Sequence, residues 1–113
     1  MIELILNGPG KNCLSTAMMD TVIQCLREAN GEPVLLTGAG DAFCAGLDIK
    51  ERLSSGKPGL GLPKVPVRDP FFEYELDKPT IAAVNGHALG GGFFLTIRAD
   101  LRVASENATF QIT

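Results

Sequence analysis

The sequence contains one histidine, His87, and that scarcity closes off two kinds of site. A metal centre built from several imidazoles cannot be assembled from one, and a Ser-His-Asp triad would have to rely on this residue alone. A lone histidine among turn glycines reads as structural. The three cysteines, Cys13, Cys25 and Cys44, form no C-x-x-C pair. They read as small buried thiols of a reducing compartment, so a cytoplasmic address is expected. No apolar run approaches the roughly 20 residues of a membrane span. Residues 1–9 carry no positively charged start of a signal peptide, so neither a membrane anchor nor export is expected. Positive charge is also short: the formal net charge is −3, which argues against nucleic acid or an anionic membrane as partner. No low-complexity tract or clear repeat interrupts the chain.

What is present fits one soluble domain. The 113 residues suffice for a single core, and 45% hydrophobic with 20% charged residues is ordinary globular composition. Glycine stands out by placement. Gly38, Gly40 and Gly46 form one group, and Gly86, Gly90, Gly91 and Gly92 another. Glycine loses more conformational freedom on folding than any other residue, so such clusters mark tight turns or backbone that must approach something closely.

The alternation of elements predicts an α/β fold. Residues 2–6 read as a strand, and Asn7-Gly8-Pro9-Gly10 as a turn. Ser15 reads as the N-cap of a helix over 16–29, with Met18, Met19, Val22, Ile23, Leu26 and Ala29 at helical spacing and Asn30-Gly31 as its stop. A strand is expected at 34–37 with both faces buried, a glycine-rich loop at 38–46 and a short helix at 47–53. The proline-rich stretch 54–70 reads as a surface loop, followed by a helical turn at 71–76. A strand at 80–84, a second glycine loop, a helix at about 91–99 and a strand at 101–104 complete the pattern.

Nucleotide-loop fingerprints fail. Gly38-Ala39-Gly40 would need a glycine at position 43, which is Phe43, for a dinucleotide loop. Neither Gly46 nor Gly92 is followed by the Lys-Ser/Thr of a phosphate loop. An unrelated Rossmann-like nucleotide binder would predict NAD or ATP binding. There is no Gly-x-Ser-x-Gly nucleophile elbow.

Two segments remain. The first runs Leu36-Thr37-Gly38-Ala39-Gly40-Asp41-Ala42-Phe43-Cys44-Ala45-Gly46-Leu47-Asp48-Ile49-Lys50-Glu51. The second runs Lys78-Pro79-Thr80-Ile81-Ala82-Ala83-Val84-Asn85-Gly86-His87-Ala88-Leu89-Gly90-Gly91-Gly92. In order and spacing both resemble the two signature segments of the crotonase (enoyl-CoA hydratase/isomerase) superfamily, and residues 1–35 fit its opening strand, turn and helix. The resemblance implies that residues 1–113 are a single N-terminal, CoA-binding core of a chain more than twice as long. It implies a partial crotonase-like ββα spiral with mixed sheets flanked by helices.

The chemistry can be stated independently of the family. An acyl thioester enolate, or the oxyanion of an adduct, places negative charge on one oxygen. Two converging backbone N–H groups stabilise it, and losing one such donor costs roughly 3–4 kcal/mol. A glycine loop entering a helix aims N–H groups and the positive dipole end at a ligand. By resemblance the two donors are the amides of Ala45 and Gly91. The resemblance also implies substrate contacts along Cys44, Leu47, Asp48, Ile49 and Lys50, with Gly90 beside the second donor. Lys11 and Lys50 are candidate partners for CoA phosphates. The implied substrate is an acyl-CoA of the kind handled in fatty acid metabolism. No metal or redox cofactor is implied, coenzyme A being part of the substrate, and the implied assembly is a homo-oligomer, a trimer or hexamer.

The sequence departs from the family at one chemical position. Hydratases carry a glutamate three residues beyond the middle glycine of the Gly-Gly-Gly run, and here that residue is Phe94. Phenylalanine moves no proton, but it suits a wall against an apolar acyl chain. A second glutamate of the family would follow Ala108-Thr109-Phe110-Gln111, beyond Thr113. Asp69, Glu73, Glu75 and Asp77 precede the second segment and read as a solvated face. The expectation is therefore an isomerase-like or lyase-like acyl-CoA enzyme rather than a standard hydratase. The alternative is a catalytically silent acyl-CoA-binding or assembly module.

Overall fold

A computed structural model describes residues 1–29, 31–47 and 79–112. Seven strands and two long helical segments occupy them: β1 Ile2–Leu6, helix α1 Thr16–Glu28, β2 Val34–Gly38, β3 Ala42–Cys44, β4 Thr80–Val84, β5 His87–Leu89, helix α2 Gly91–Arg98, β6 Leu101–Ala104 and β7 Thr109–Gln111. The expected helices at 47–53 and 71–76 lie almost wholly outside the described residues, as does Asn30.

The strands make two sheets, one of order β1-β2-β4-β6 and one of order β3-β5-β7. Every pairing between these strands is parallel, which corrects the expectation of mixed sheets. Three successive units, β2-β3, β4-β5 and β6-β7, each give their first strand to the larger sheet and their second to the smaller. This is a structural repeat, although the three units share no obvious sequence. Strands β3, β5 and β7 have three residues each, too few to show an alternating pattern. The glycine loop expected at 38–46 therefore contains a strand, and so does the second loop.

The larger sheet follows its sequence closely. In β4, Thr80, Ala82 and Val84 are buried while Ile81 and Ala83 are half-buried, the period of two that a pleated strand imposes. Val34 and Leu36 in β2 share the buried side, and Leu35 on the other side is half-buried rather than fully enclosed. Helix α1 begins where Ser15 Oγ accepts the Met18 N–H at 3.1 Å. Its Met19, Val22, Ile23 and Leu26 are buried. Gly31 follows with φ 88°, beyond the helix end. At the far end of α2, Arg102 Nη1 donates to Thr96 O and Ala99 O at 3.2 and 2.9 Å, satisfying carbonyls that a helix C-terminus leaves open.

One core joins these parts. Leu6, Leu14, Met19, Val22, Leu26, Val34, Leu36, Phe43, Cys44, Ala82, Val84, Ala88 and Leu95 cluster together, and Phe43 and Cys44 are fully buried at its centre. The outer strands β6 and β7 are exposed along their length, as are Leu101, Val103 and Phe110 upon them.

Burial pushes the Cys44 thiol from 9.0 up to about 11, against the lowering effect of the Gly46 backbone N–H. In the unfolded chain the thiol loses its proton near pH 9, whereas the folded chain retains it until about pH 11. Its contribution is thus complete below pH 9 and lost between pH 9 and 11, by up to about 2–3 kcal/mol. Urea denaturation as a function of pH should show stability falling across that window in the native protein and a flatter profile in Cys44→Ala.

Candidate functional site

The site forms where the end of β3 meets the start of α2. Cys44, the last residue of β3, is followed by Ala45-Gly46-Leu47. This stretch runs beside the turn that precedes α1: Ala45 N–H donates to Lys11 O at 3.1 Å and Leu14 N–H to Gly46 O at 2.6 Å. Gly46 has φ 99°, and a Cβ there would lie 2.8 Å from Leu89 O, so both its backbone angle and its surroundings require glycine. Because Gly46 O is held by Leu14 N–H, the N–H of the same peptide, that of Leu47, points away from Leu14.

On the other side, β5 ends at Leu89, and Gly90 N–H donates to Gln111 O at 2.9 Å. Gly90, with φ 54°, is the N-cap, and Phe94 N–H returns to Gly90 O at 3.1 Å as the first helical bond. The Gly91, Gly92 and Phe93 amides therefore have no acceptor within the helix. They carry the positive end of its dipole.

Close packing fixes the distance between the two sides. A Cβ on Gly92 would sit 2.2 Å from Cys44 O, so α2 rests directly on the β3 backbone and only glycine fits. Gly91 is different. A Cβ there would lie 3.2 Å from Leu14 Cδ1, a flexible side-chain end, and 3.8 Å from Leu47 N. The backbone nitrogens of Gly91 and Leu47 thus lie close to one another across this packing contact. Neither donates a hydrogen bond to any of the described residues.

Of the two amides expected as donors, only that of Gly91 is left without an acceptor among the described residues. The Ala45 N–H is engaged by Lys11 O, and the amide facing Gly91 is that of Leu47. Leu47 was expected only to line the substrate, and the overlooked signal is Gly46, since a left-handed glycine reorients the next peptide. The Cys44 side chain is buried in the core, so it offers no surface to a ligand. Gly90 caps the helix. Phe94, at position i+3 from Gly91, is about half exposed, with its ring centroid 6.4 Å from that of Phe93. Phe93 in turn meets Phe110 edge-on at 6.3 Å. Lys11 forms an exposed ion pair with Asp41 at 3.8 Å. His87 Nδ1 and Thr109 Oγ1 share a hydrogen bond of 2.5 Å across β5 and β7, a structural role. Asp48, Ile49, Lys50, Asp69, Glu73, Glu75 and Asp77 lie outside the described residues. Among the described residues no three metal-binding side chains gather, and no helix is long and apolar enough to cross a membrane.

Known proteins share this sequence and fold. The family model described as enoyl-CoA hydratase/isomerase matches residues 1–113. Mevalonyl-coenzyme A hydratase of Aspergillus fumigatus is 40% identical over 97% of the chain and 43% of its own length. Hydroxycinnamoyl-CoA hydratase-lyase of Pseudomonas fluorescens is 33% identical over 97% of the chain and 44% of its own. The crystal structure of an enoyl-CoA hydratase from Mycobacterium marinum superposes with a TM-score of 0.81 at 33% identity, over 97% of this chain and 44% of that one. The chain spans less than half the length of these relatives.

The two neighbouring glycines should respond very unequally to the same added methyl group. Gly92→Ala forces a Cβ into the Cys44 carbonyl and should cost about 3 kcal/mol or more in urea denaturation. Gly91→Ala meets only the end of Leu14 and should cost about 1 kcal/mol or less, while narrowing the space beside Leu47 N.

Proposed function

Since the chain belongs to the enoyl-CoA hydratase/isomerase family, we propose that it binds an acyl-CoA thioester and stabilises the enolate or oxyanion formed at its carbonyl oxygen. The observation that carries this reading is a pair of neighbouring amides at the positive end of α2, Leu47 N–H and Gly91 N–H, that have no acceptor among the described residues. Backbone donors held by packing need no reorganisation as charge develops, which makes them effective for an oxygen that becomes negative. Gly90 and Gly46 set the two approaches, and Leu47 to Lys50 would run along the CoA moiety.

Phe94 shapes the reaction class. It occupies the turn above Gly91, where an acid or base would reach the same carbonyl, and it carries no proton. Its half-exposed ring offers an apolar wall to the acyl chain. Double-bond migration or a lyase step with one acid/base drawn from another position fits this better than the addition of water by two carboxylates. The reading includes action in the cytoplasm as a homo-oligomer, a trimer or hexamer, with no cofactor beyond the coenzyme A of the substrate. A second reading, an acyl-CoA-binding or assembly module without turnover, is favoured by Phe94 alone.

Calorimetric titration with a non-hydrolysable acyl-CoA analogue, together with product analysis on 2-enoyl- and 3-enoyl-CoA, separates these. The expected result is saturable binding that Gly91→Val abolishes, with double-bond migration or cleavage and no hydration. Binding without turnover would select the module, and efficient hydration would refute the role given to Phe94.

A further inference from the structure

We propose that Asn12 is a positioning residue that sets the Leu47 amide opposite Gly91, an inference that rests on reading this pair as oxyanion donors. Among the described residues strand β3 lies at the edge of its sheet, paired with β5 alone, and its register slips between Ala42 and Cys44. Its free edge is held by a turn in place of a strand. Pro9–Asn12 form one helical turn in which Gly10, Lys11 and Asn12 all have positive φ, at 67°, 59° and 62°. Two consecutive non-glycine residues in the left-handed region are costly, and asparagine is among the few side chains that tolerate it. Strain of this kind persists only where the surroundings enforce it.

The enforcing contacts converge on Asn12. Its side chain is buried, and its Nδ2 donates to Ala39 O at 2.9 Å and Ala42 O at 3.0 Å, with Phe43 O at 3.4 Å. Its Oδ1 accepts the Gly8 N–H at 3.1 Å, which closes the turn upon itself. The turn is thus welded to the run that leads into β3. With the turn so fixed, Lys11 O takes the Ala45 N–H, and Leu14 N–H holds Gly46 O. The second bond fixes the Gly46–Leu47 peptide, and because the C=O and N–H of a trans peptide point opposite ways, the Leu47 N–H is turned from Leu14 toward Gly91. Asn85 braces the same loop from the opposite side: its Nδ2 donates to Gly40 O and Ala42 O, both at 3.1 Å. Ala42 O is therefore clamped by two asparagines, one from each side of β3. Removing Asn12 would release three carbonyls and the left-handed turn together, and the first backbone to drift would be the Ala45-Gly46-Leu47 stretch.

The test is infrared difference spectroscopy of the protein with butanoyl-CoA carrying a ¹³C thioester carbonyl, alongside its dissociation constant. A carbonyl held by two amides absorbs at lower frequency than the free thioester. Asn12→Gly removes the side chain but leaves the left-handed backbone at ease; Asn12→Asp keeps the shape and removes the donor, so one can report if the other does not fold. Each should lose most of the shift while binding within about threefold of the wild type, the scale of one modest hydrogen bond. Val22→Ala, a core truncation in α1, should lower stability and keep the full shift. Folded Asn12 variants that retain the shift would overturn the proposal, as would an equal loss in Val22→Ala. Wild-type binding without any shift would instead sink the oxyanion reading, and this inference with it.

Discussion

Helix α2 sits on the backbone of β3, with Gly92 where any side chain would strike Cys44 O. Most of the site's geometry depends on that approach. It brings the helix's positive end to the turn that follows β3, and it does so with backbone, which side-chain rotation cannot relax. The buried Phe43 and Cys44 give β3 a rigid seat in the core. The approach of Gly91 to Leu47 is therefore defined by main-chain packing. A site built from amides gains its electrostatic strength from being held in place before the charge appears.

Four glycines divide this work. Gly92 allows contact, Gly46 turns the chain, and Gly90 ends one element and starts the next. Gly91 is the one whose missing Cβ leaves room beside Leu47 N. Hydrogen bonds then decide which amides remain available: Lys11 O removes Ala45 and Gln111 O removes Gly90, while the neighbouring Leu47 and Gly91 keep theirs free of any acceptor among the described residues. Phe94, one turn along the helix, marks where the proposed chemistry departs from paired-carboxylate hydration.

The sequence made the larger sheet and both helices legible, because each carried a long pattern. Ser15, the apolar stripe from Met19 to Leu26 and the Thr80–Val84 alternation are strong local signals, and the structure follows them. The smaller sheet was not legible: three-residue strands inside glycine loops show no period, and their pairing is a matter of long-range packing. The same reason hid the amide now proposed as a donor. The two glycine segments pointed to this region, but preferring Leu47 to Ala45 required knowing that Lys11 O accepts the Ala45 N–H. That contact joins residues 34 positions apart, through a turn whose left-handed backbone only Gly10 hinted at. Cys44 likewise looked like a ligand contact from its place in the motif, whereas burial turns its side chain into the core.

The measurement that tests the account most directly is an amide ¹H–¹⁵N correlation spectrum of the protein during titration with a non-hydrolysable acyl-CoA analogue. Leu47 and Gly91 should show the largest downfield proton shifts as their N–H groups take up the carbonyl oxygen, while Ala45, already bonded to Lys11 O, stays near its starting position. A spectrum in which Ala45 moves with Gly91 and Leu47 does not, or in which saturating ligand leaves both Leu47 and Gly91 unmoved, would contradict it.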